Sequence, residues 1–261
     1  LYKEAVLKKL KIILFIVVCA CVTFTVYYFI TELDTKLDAL KFIQIKQQEE
    51  HAKTNQFLLS TIDWATKRQK MILFSRDIIF CERKNVKNFP VMPLEEAYLI
   101  AESNISECEK YVNVNPLVLL AMQRCESFFN KKAKSPAGAL GLNQIMSSTA
   151  KLLSSAMQLD YNDTLLFDIK YSDKLAVKYL DVLYTTYMST ELALADYNGG
   201  PRVAYYYKTK NELLPKETAE YVPCVIDAWK NYEKLFEVYK VDSTLLNLDS
   251  TLRFKTIKTK G

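Results

Sequence analysis

The first long segment of the chain is apolar on every side. Residues 12–30 (IILFIVVCACVTFTVYYFI) carry no charge, and such a run reads as a helix surrounded by apolar material all round. Residues 31–84 contain neither Gly nor Pro, and Leu33, Leu37 and Leu40 recur at helical spacing before the row fades into Gln44, Gln47 and His51. A helix is expected throughout, with a heptad too brief to require a coiled coil. A denser apolar patch at 71–74 and 78–80 is expected to dock on a folded domain. Residues 85–93, with Pro90 and Pro93, break the pattern.

After the break the helical period returns. One helix is expected from Pro93, with Glu95 and Glu96 in its first turn. A second opens at Asn115-Pro116, a cap followed by Pro at the first helical position, and runs through Leu117, Leu119, Leu120, Ala121 and Met122 to Glu126. Residues 135–145 are loop-like and hold Gly138 and Gly141. Helices are expected again at 147–157, 172–188 and 190–197, where Gly199-Gly200-Pro201 ends the last. A final helix is expected from near Pro223 to Tyr239, and the tail 241–261 is expected to be extended or mobile. The chain therefore divides into 1–31, 32–92 (a helical stalk), 93–240 (the main domain) and 241–261.

Nineteen residues at helical rise span about 29 Å, close to the hydrocarbon thickness of a bilayer. Thr23 and Thr25 can bond back to helix carbonyls, and Tyr27 and Tyr28 suit the interface. Residues 12–30 are thus expected to be a transmembrane anchor. Lys3, Lys8, Lys9 and Lys11 precede them against Glu4, whereas Glu32, Asp34 and Asp38 follow against Lys36 and Lys41. The positive flank stays inside, so the N-terminal end is expected in the cytoplasm and the main domain outside the cytoplasmic membrane, periplasmic or extracytoplasmic. Two cleaved alternatives are a secretory signal, which has a shorter apolar core, and a lipoprotein with Cys21 lipidated, against which the apolar run continues to Ile30.

Composition narrows the chemistry. Of 261 residues, 50% are apolar and 25% charged, so a folded core is expected; five Gly and seven Pro favour helices. The +5 charge is scattered, without a basic stripe interleaved with aromatics, which argues against nucleic acid as a partner. The single histidine, His51, lies in a polar run and reads as an exposed linker residue. Its isolation argues against Ser-His-Asp, Cys-His and zinc-peptidase sites. No Cys-x-x-Cys pair is present, so no metal and no cofactor are expected. Cys81, Cys108, Cys125 and Cys224 lie outside the apolar run, and four cysteines allow three pairings in an oxidising compartment.

One carboxylate stands out modestly. Glu126 ends an apolar helix and precedes Phe128 and Phe129. Apolar walls raise a carboxyl pKa toward the range of a general acid, although a solvated helix-terminal Glu is the commoner explanation of such a position.

Four ordered segments change that balance. They are Glu126-Ser127, the string SPAGALGLNQIM at 135–146, ADYNGGP at 195–201 and LPKETAEYVP at 214–223. Together they resemble the lytic transglycosylases of the soluble-lytic-transglycosylase (SLT) type, relatives of goose-type lysozyme, over roughly residues 94–240. The resemblance implies an all-α, lysozyme-like catalytic domain with a substrate groove for peptidoglycan. It implies that Glu126 protonates the glycosidic oxygen between N-acetylmuramic acid and N-acetylglucosamine. The same group then takes the proton of the muramyl 6-hydroxyl, which closes on C1 to a 1,6-anhydro end. Ser135, Gln144, Tyr197, Asn198 and Tyr221 are implied at the substrate, with Glu217 structural or at the groove edge. Because Cys125 and Cys224 lie beside converging motifs, a disulfide between them is the preferred pairing, with free buried thiols as the alternative.

The resemblance has two departures. Asn143 stands where the family usually has a Met that flanks the sugar, so an altered substrate contact is expected there. Asp196 and Gly199 stand where Ala is frequent. The competing functions are a hydrolytic muramidase sharing Glu126 and a non-enzymatic wall-binding component of a secretion, conjugation or phage machine. The anchor and stalk suggest a partner of that kind, or a second copy of the chain.

Overall fold

The computed structural model describes residues 2–84 and 90–241. The expected tail lies outside them from residue 242 on, as do residues 85–89 of the expected break. The chain divides into two compact units, 1–65 and 66–261. Helix α1 (Tyr2–Lys84) supplies the described residues of the first unit and the opening stretch of the second. In the first unit the apolar side chains of 12–30 are exposed, and this stretch is long and apolar enough to cross a membrane. The Thr23 and Thr25 hydroxyls each donate to a carbonyl one turn back, Cys19 and Cys21, at 3.0 Å.

The second unit is helical. After α1 come α2 (Leu94–Cys108), α3 (Pro116–Ser127), a short hairpin of β1 (Ala139–Leu140) and β2 (Ile145–Met146), and α4 (Ser147–Ala156). A 3-10 turn (Asp163–Phe167) follows, then α5 (Ile169–Tyr187), α6 (Thr190–Gly199), α7 (Pro201–Thr209) and α8 (Lys216–Val241). α3 runs through the core, with Leu119, Leu120 and Ala121 fully buried. It packs against α8 and α2.

This unit begins earlier than the boundary at 93 expected from sequence. Ile72, Phe74, Ile78 and Ile79 are fully enclosed, because the two apolar patches repeat at helical spacing and share one face. The Phe74 ring meets those of Phe236 and Tyr239 at 5.1 and 5.3 Å between centroids. The expected stalk therefore ends inside the domain core.

Three other details differ from the expected elements. α5 starts at Ile169, where the Asp168 carboxylate accepts from the Tyr171 amide at 2.9 Å. α7 is an additional helix; Gly200 takes a left-handed turn (φ 83°), and Pro201 opens the helix at the position where its missing N–H costs nothing. α8 starts at Lys216 instead of near Pro223. The proline sits inside it and leaves the Ala219 carbonyl without its usual helical donor.

The 135–146 loop is more ordered than its glycines suggest. Ala139 pairs with Met146, and Leu140 with Ile145. Gly141 adopts φ 75°, and a Cβ there would lie 1.9 Å from the Leu166 carbonyl oxygen. Only glycine fits that approach.

Candidate functional site

Glu126 occupies the last turn of α3. The helix starts on Asn115, whose side chain accepts from the Leu117 amide at 2.9 Å, with Pro116 next. It stops because Phe128 and Phe129 both adopt left-handed backbone conformations, φ 54° and 60°. Such conformations are strained for bulky residues and must be held by their surroundings. Arg83 donates to the Phe128 carbonyl at 3.2 Å, and the Phe129 ring is fully buried. On the other side of Glu126, Arg124 forms a buried ion pair with Glu82 at 2.9 Å, and the Tyr232 hydroxyl donates to the same carboxylate at 3.1 Å. Cys125 is disulfide-bonded to Cys224, which ties α3 to α8.

Glu126 keeps some surface exposure, yet its carboxyl is hemmed in by protein. Burial pushes its pKa up to about 8. The Tyr221 hydroxyl pulls the other way, and the Glu217 charge adds to the rise. Tyr221 is buried, and its hydroxyl faces Glu126 without meeting full hydrogen-bond geometry. Glu217 is exposed in the first turn of α8. A carboxyl that stays protonated at neutral pH can donate a proton, and once ionised it is a strong acceptor.

The remaining expected residues fall into two groups. Near Glu126 lies Tyr197, whose own pKa is pushed well up by burial and by the Glu126 charge; its hydroxyl donates to the Asn143 carbonyl at 2.9 Å. Gln144 is half-buried in a left-handed conformation (φ 46°), and its side-chain amide donates to the Gly141 carbonyl at 2.8 Å. The second group ties elements together. The Ser135 hydroxyl accepts from the Ala139 amide at 2.9 Å and closes the loop before β1. The Asn198 side chain accepts from Thr218 at 2.6 Å and joins α6 to α8.

Asn143 is a correction. Expected against the sugar, it is only 1% exposed and its side chain points into the core. Its amide donates to Asp173 at 2.8 Å and to Ser172 at 3.0 Å, and its oxygen accepts from Gln123 at 3.1 Å. The motif says nothing of these partners. A polar Gln123 inside the apolar run of α3, three residues before Glu126, is the one signal of them in the sequence. Asp196 also turns away from the site and accepts from Tyr179 and Tyr187 of α5, at 3.2 and 2.5 Å. Among the described residues, no group of three or more His, Cys, Asp or Glu side chains converges as a metal site would require.

The helical unit thus presents one desolvated carboxyl with two buried phenols, Tyr197 and Tyr221, in its electrostatic neighbourhood. The sequence profile of the Transglycosylase SLT domain matches residues 103–218. The match takes in Glu126 and ends in the first turn of α8. The chain is also similar to an inactive mutant of the lytic transglycosylase Slt from Pseudomonas aeruginosa, at 23% identity and TM-score 0.47, over 52% of this chain and 24% of that one. Similarity to the 70 kDa soluble lytic transglycosylase of Escherichia coli is 21% in identity with TM-score 0.46, over 66% of this chain and 31% of that one. The complex of the 70 kDa soluble lytic transglycosylase with bulgecin A gives 20% identity and TM-score 0.46, over the same 66% and 31%. The chain thus spans less than a third of the length of each of these structures.

Proposed function

We propose that this protein is a membrane-anchored peptidoglycan lytic transglycosylase in which Glu126 acts as acid and then as base. The observation that carries the reading is the Glu126 carboxyl itself, inside the stretch that matches the SLT profile, with a pKa raised to about 8 by burial. Protonated, it delivers its proton to the oxygen linking N-acetylmuramic acid to N-acetylglucosamine, and the muramyl C1–O bond breaks. The carboxylate left behind takes the proton of the muramyl 6-hydroxyl, whose oxygen bonds to C1. Protons balance and no water is consumed. The neutral phenol of Tyr221 supplies a donor for the charge that develops, whereas the Tyr197 proton is held by the Asn143 carbonyl. Tyr221 counts more directly for Glu126, since its hydroxyl favours the ionised form needed for the second step.

The test is product analysis. Purified protein with peptidoglycan sacculi is expected to release muropeptides carrying 1,6-anhydromuramyl ends, identified by mass. Reducing muramyl ends in their place would assign hydrolysis. The anchor reading rests on the uncharged exposed stretch 12–30 of α1.

A further inference from the structure

The inward turn of Asn143 bears on how the loop over Glu126 is held. Five polar side chains meet in the interior: Asn104 of α2, Gln123 of α3, Asn143 of the loop, and Ser172 and Asp173 of α5, each at most 1% exposed. The Gln123 amide donates to Asn104 at 2.8 Å, to Asn143 at 3.1 Å and to Asp173 at 2.8 Å, and Asn104 returns a bond to Gln123 at 2.9 Å. Polar groups removed from water to this degree are costly unless bonded, and a bonded set fixes one arrangement of the elements that carry it. Here those elements are α2, α3, α5 and the loop.

The loop is gripped on both sides of the same residue. The Ser127 hydroxyl, adjacent in chain to Glu126, donates to the Leu142 carbonyl at 2.7 Å. The Tyr197 hydroxyl donates to the Asn143 carbonyl at 2.9 Å. Gln144 follows in its left-handed conformation. The Asn143 side chain is therefore an inward peg of a three-residue turn that also buries Leu142 and leaves Gln144, the residue expected at the site, half-buried.

Resting on the function proposed above, we propose that Asn143 is a positioning residue: its buried carboxamide, paired with Asp173 and Gln123, locks the 142–144 turn against the end of α3 and so sets Gln144 and Tyr197 relative to Glu126. Asn143 touches no substrate; it acts through its neighbours.

The experiment compares wild type, Asn143→Leu and Asp173→Asn by sacculus digestion and by hydrogen exchange. Asn143→Leu keeps the size and removes all three side-chain bonds. Its kcat is expected to fall about tenfold or more, with KM within about threefold, because a misplaced site costs rate more than uniform binding. Amide exchange in 139–146 is expected to rise while that of α5 stays near wild type. Asp173→Asn retains an acceptor for Asn143 and is expected to keep kcat within about threefold, a conservative rescue. If Asn143→Leu does not fold, Asn143→Ala gives the same reading without added bulk. Unchanged kcat and exchange, or a lowered melting temperature with wild-type kcat, would overturn the proposal and leave Asn143 a purely structural residue. Should wild type release no glycan fragments, the enzymatic reading fails, and the exchange of 139–146 alone decides whether Asn143 holds the turn.

Discussion

Glu126 is fixed by its neighbours in sequence, while its own carboxyl is faced by the Tyr221 hydroxyl. Arg124 is paired to Glu82, Cys125 is cross-linked to Cys224, Ser127 reaches the Leu142 carbonyl, and the Phe128 carbonyl accepts from Arg83. A rigid backbone carrying a desolvated acid trades stability for chemistry, and the cost has a pH signature. In the unfolded chain the Glu126 carboxyl ionises near its ordinary value of 4.5, whereas in the fold it ionises at about 8. Below 4.5 both states are protonated and the group is neutral for stability. As pH rises from there the unfolded state sheds the proton first, so stability falls until the folded carboxyl ionises at about 8, and then levels. Asp173, raised to about 7 chiefly by burial, acts in the same direction. Glu126→Gln is therefore expected to be more stable than wild type at pH 8, by about 1–3 kcal/mol given 1.4 kcal/mol per pKa unit and partial exposure. The gain is expected to vanish near pH 4. Urea melts at both pH values check this, and equal gains would mean that the carboxyl is not desolvated.

At the scale of elements, the last turns of α1 belong to the domain that carries Glu126, although they precede the SLT match at 103–218. The Glu82–Arg124 pair is the clearest bond between them, with side chains 5% and 8% exposed. Burial holds the Glu82 carboxyl above its usual range in spite of Arg124 and Tyr232. Such a pair adds little net stability, but losing one partner is severe. Glu82→Gln is expected to cost about 3–5 kcal/mol in urea unfolding, as for other broken buried pairs. A cost under about 1 kcal/mol would show that the pair is solvated.

Much at this scale is legible in the sequence. The cap and proline at Asn115-Pro116 place α3, and the apolar patches at 71–74 and 78–80 place the end of α1 against a core. Local punctuation misleads. Pro223 suggests a helix start although α8 has already run for two turns, and Gly199-Gly200-Pro201 ends α6 as expected but also opens α7, a helix the pattern did not announce. Asn143 escapes the sequence for another reason. A motif gives the order of residues in a loop but not which side chain turns inward, and the partners that draw Asn143 in are on α3 and α5.

For the whole molecule, the two units invite separate tests. The stretch 12–30 is exposed and uncharged, and a helix of that composition is stable in a bilayer and insoluble outside one. The full chain is expected in the membrane pellet after alkaline carbonate extraction, and a variant lacking residues 1–31 in the supernatant. A full chain released by carbonate would contradict the anchor. In the proposed reaction one buried carboxyl performs both proton transfers without water. That reaction is tested most directly by mass spectrometry of sacculi digested with wild type and with Glu126→Gln. Wild type is expected to give 1,6-anhydromuramyl products and the variant a loss of about a thousandfold or more, the scale of a general acid and its charge together. Reducing muramyl ends from wild type, or undiminished release by Glu126→Gln, would contradict that reaction.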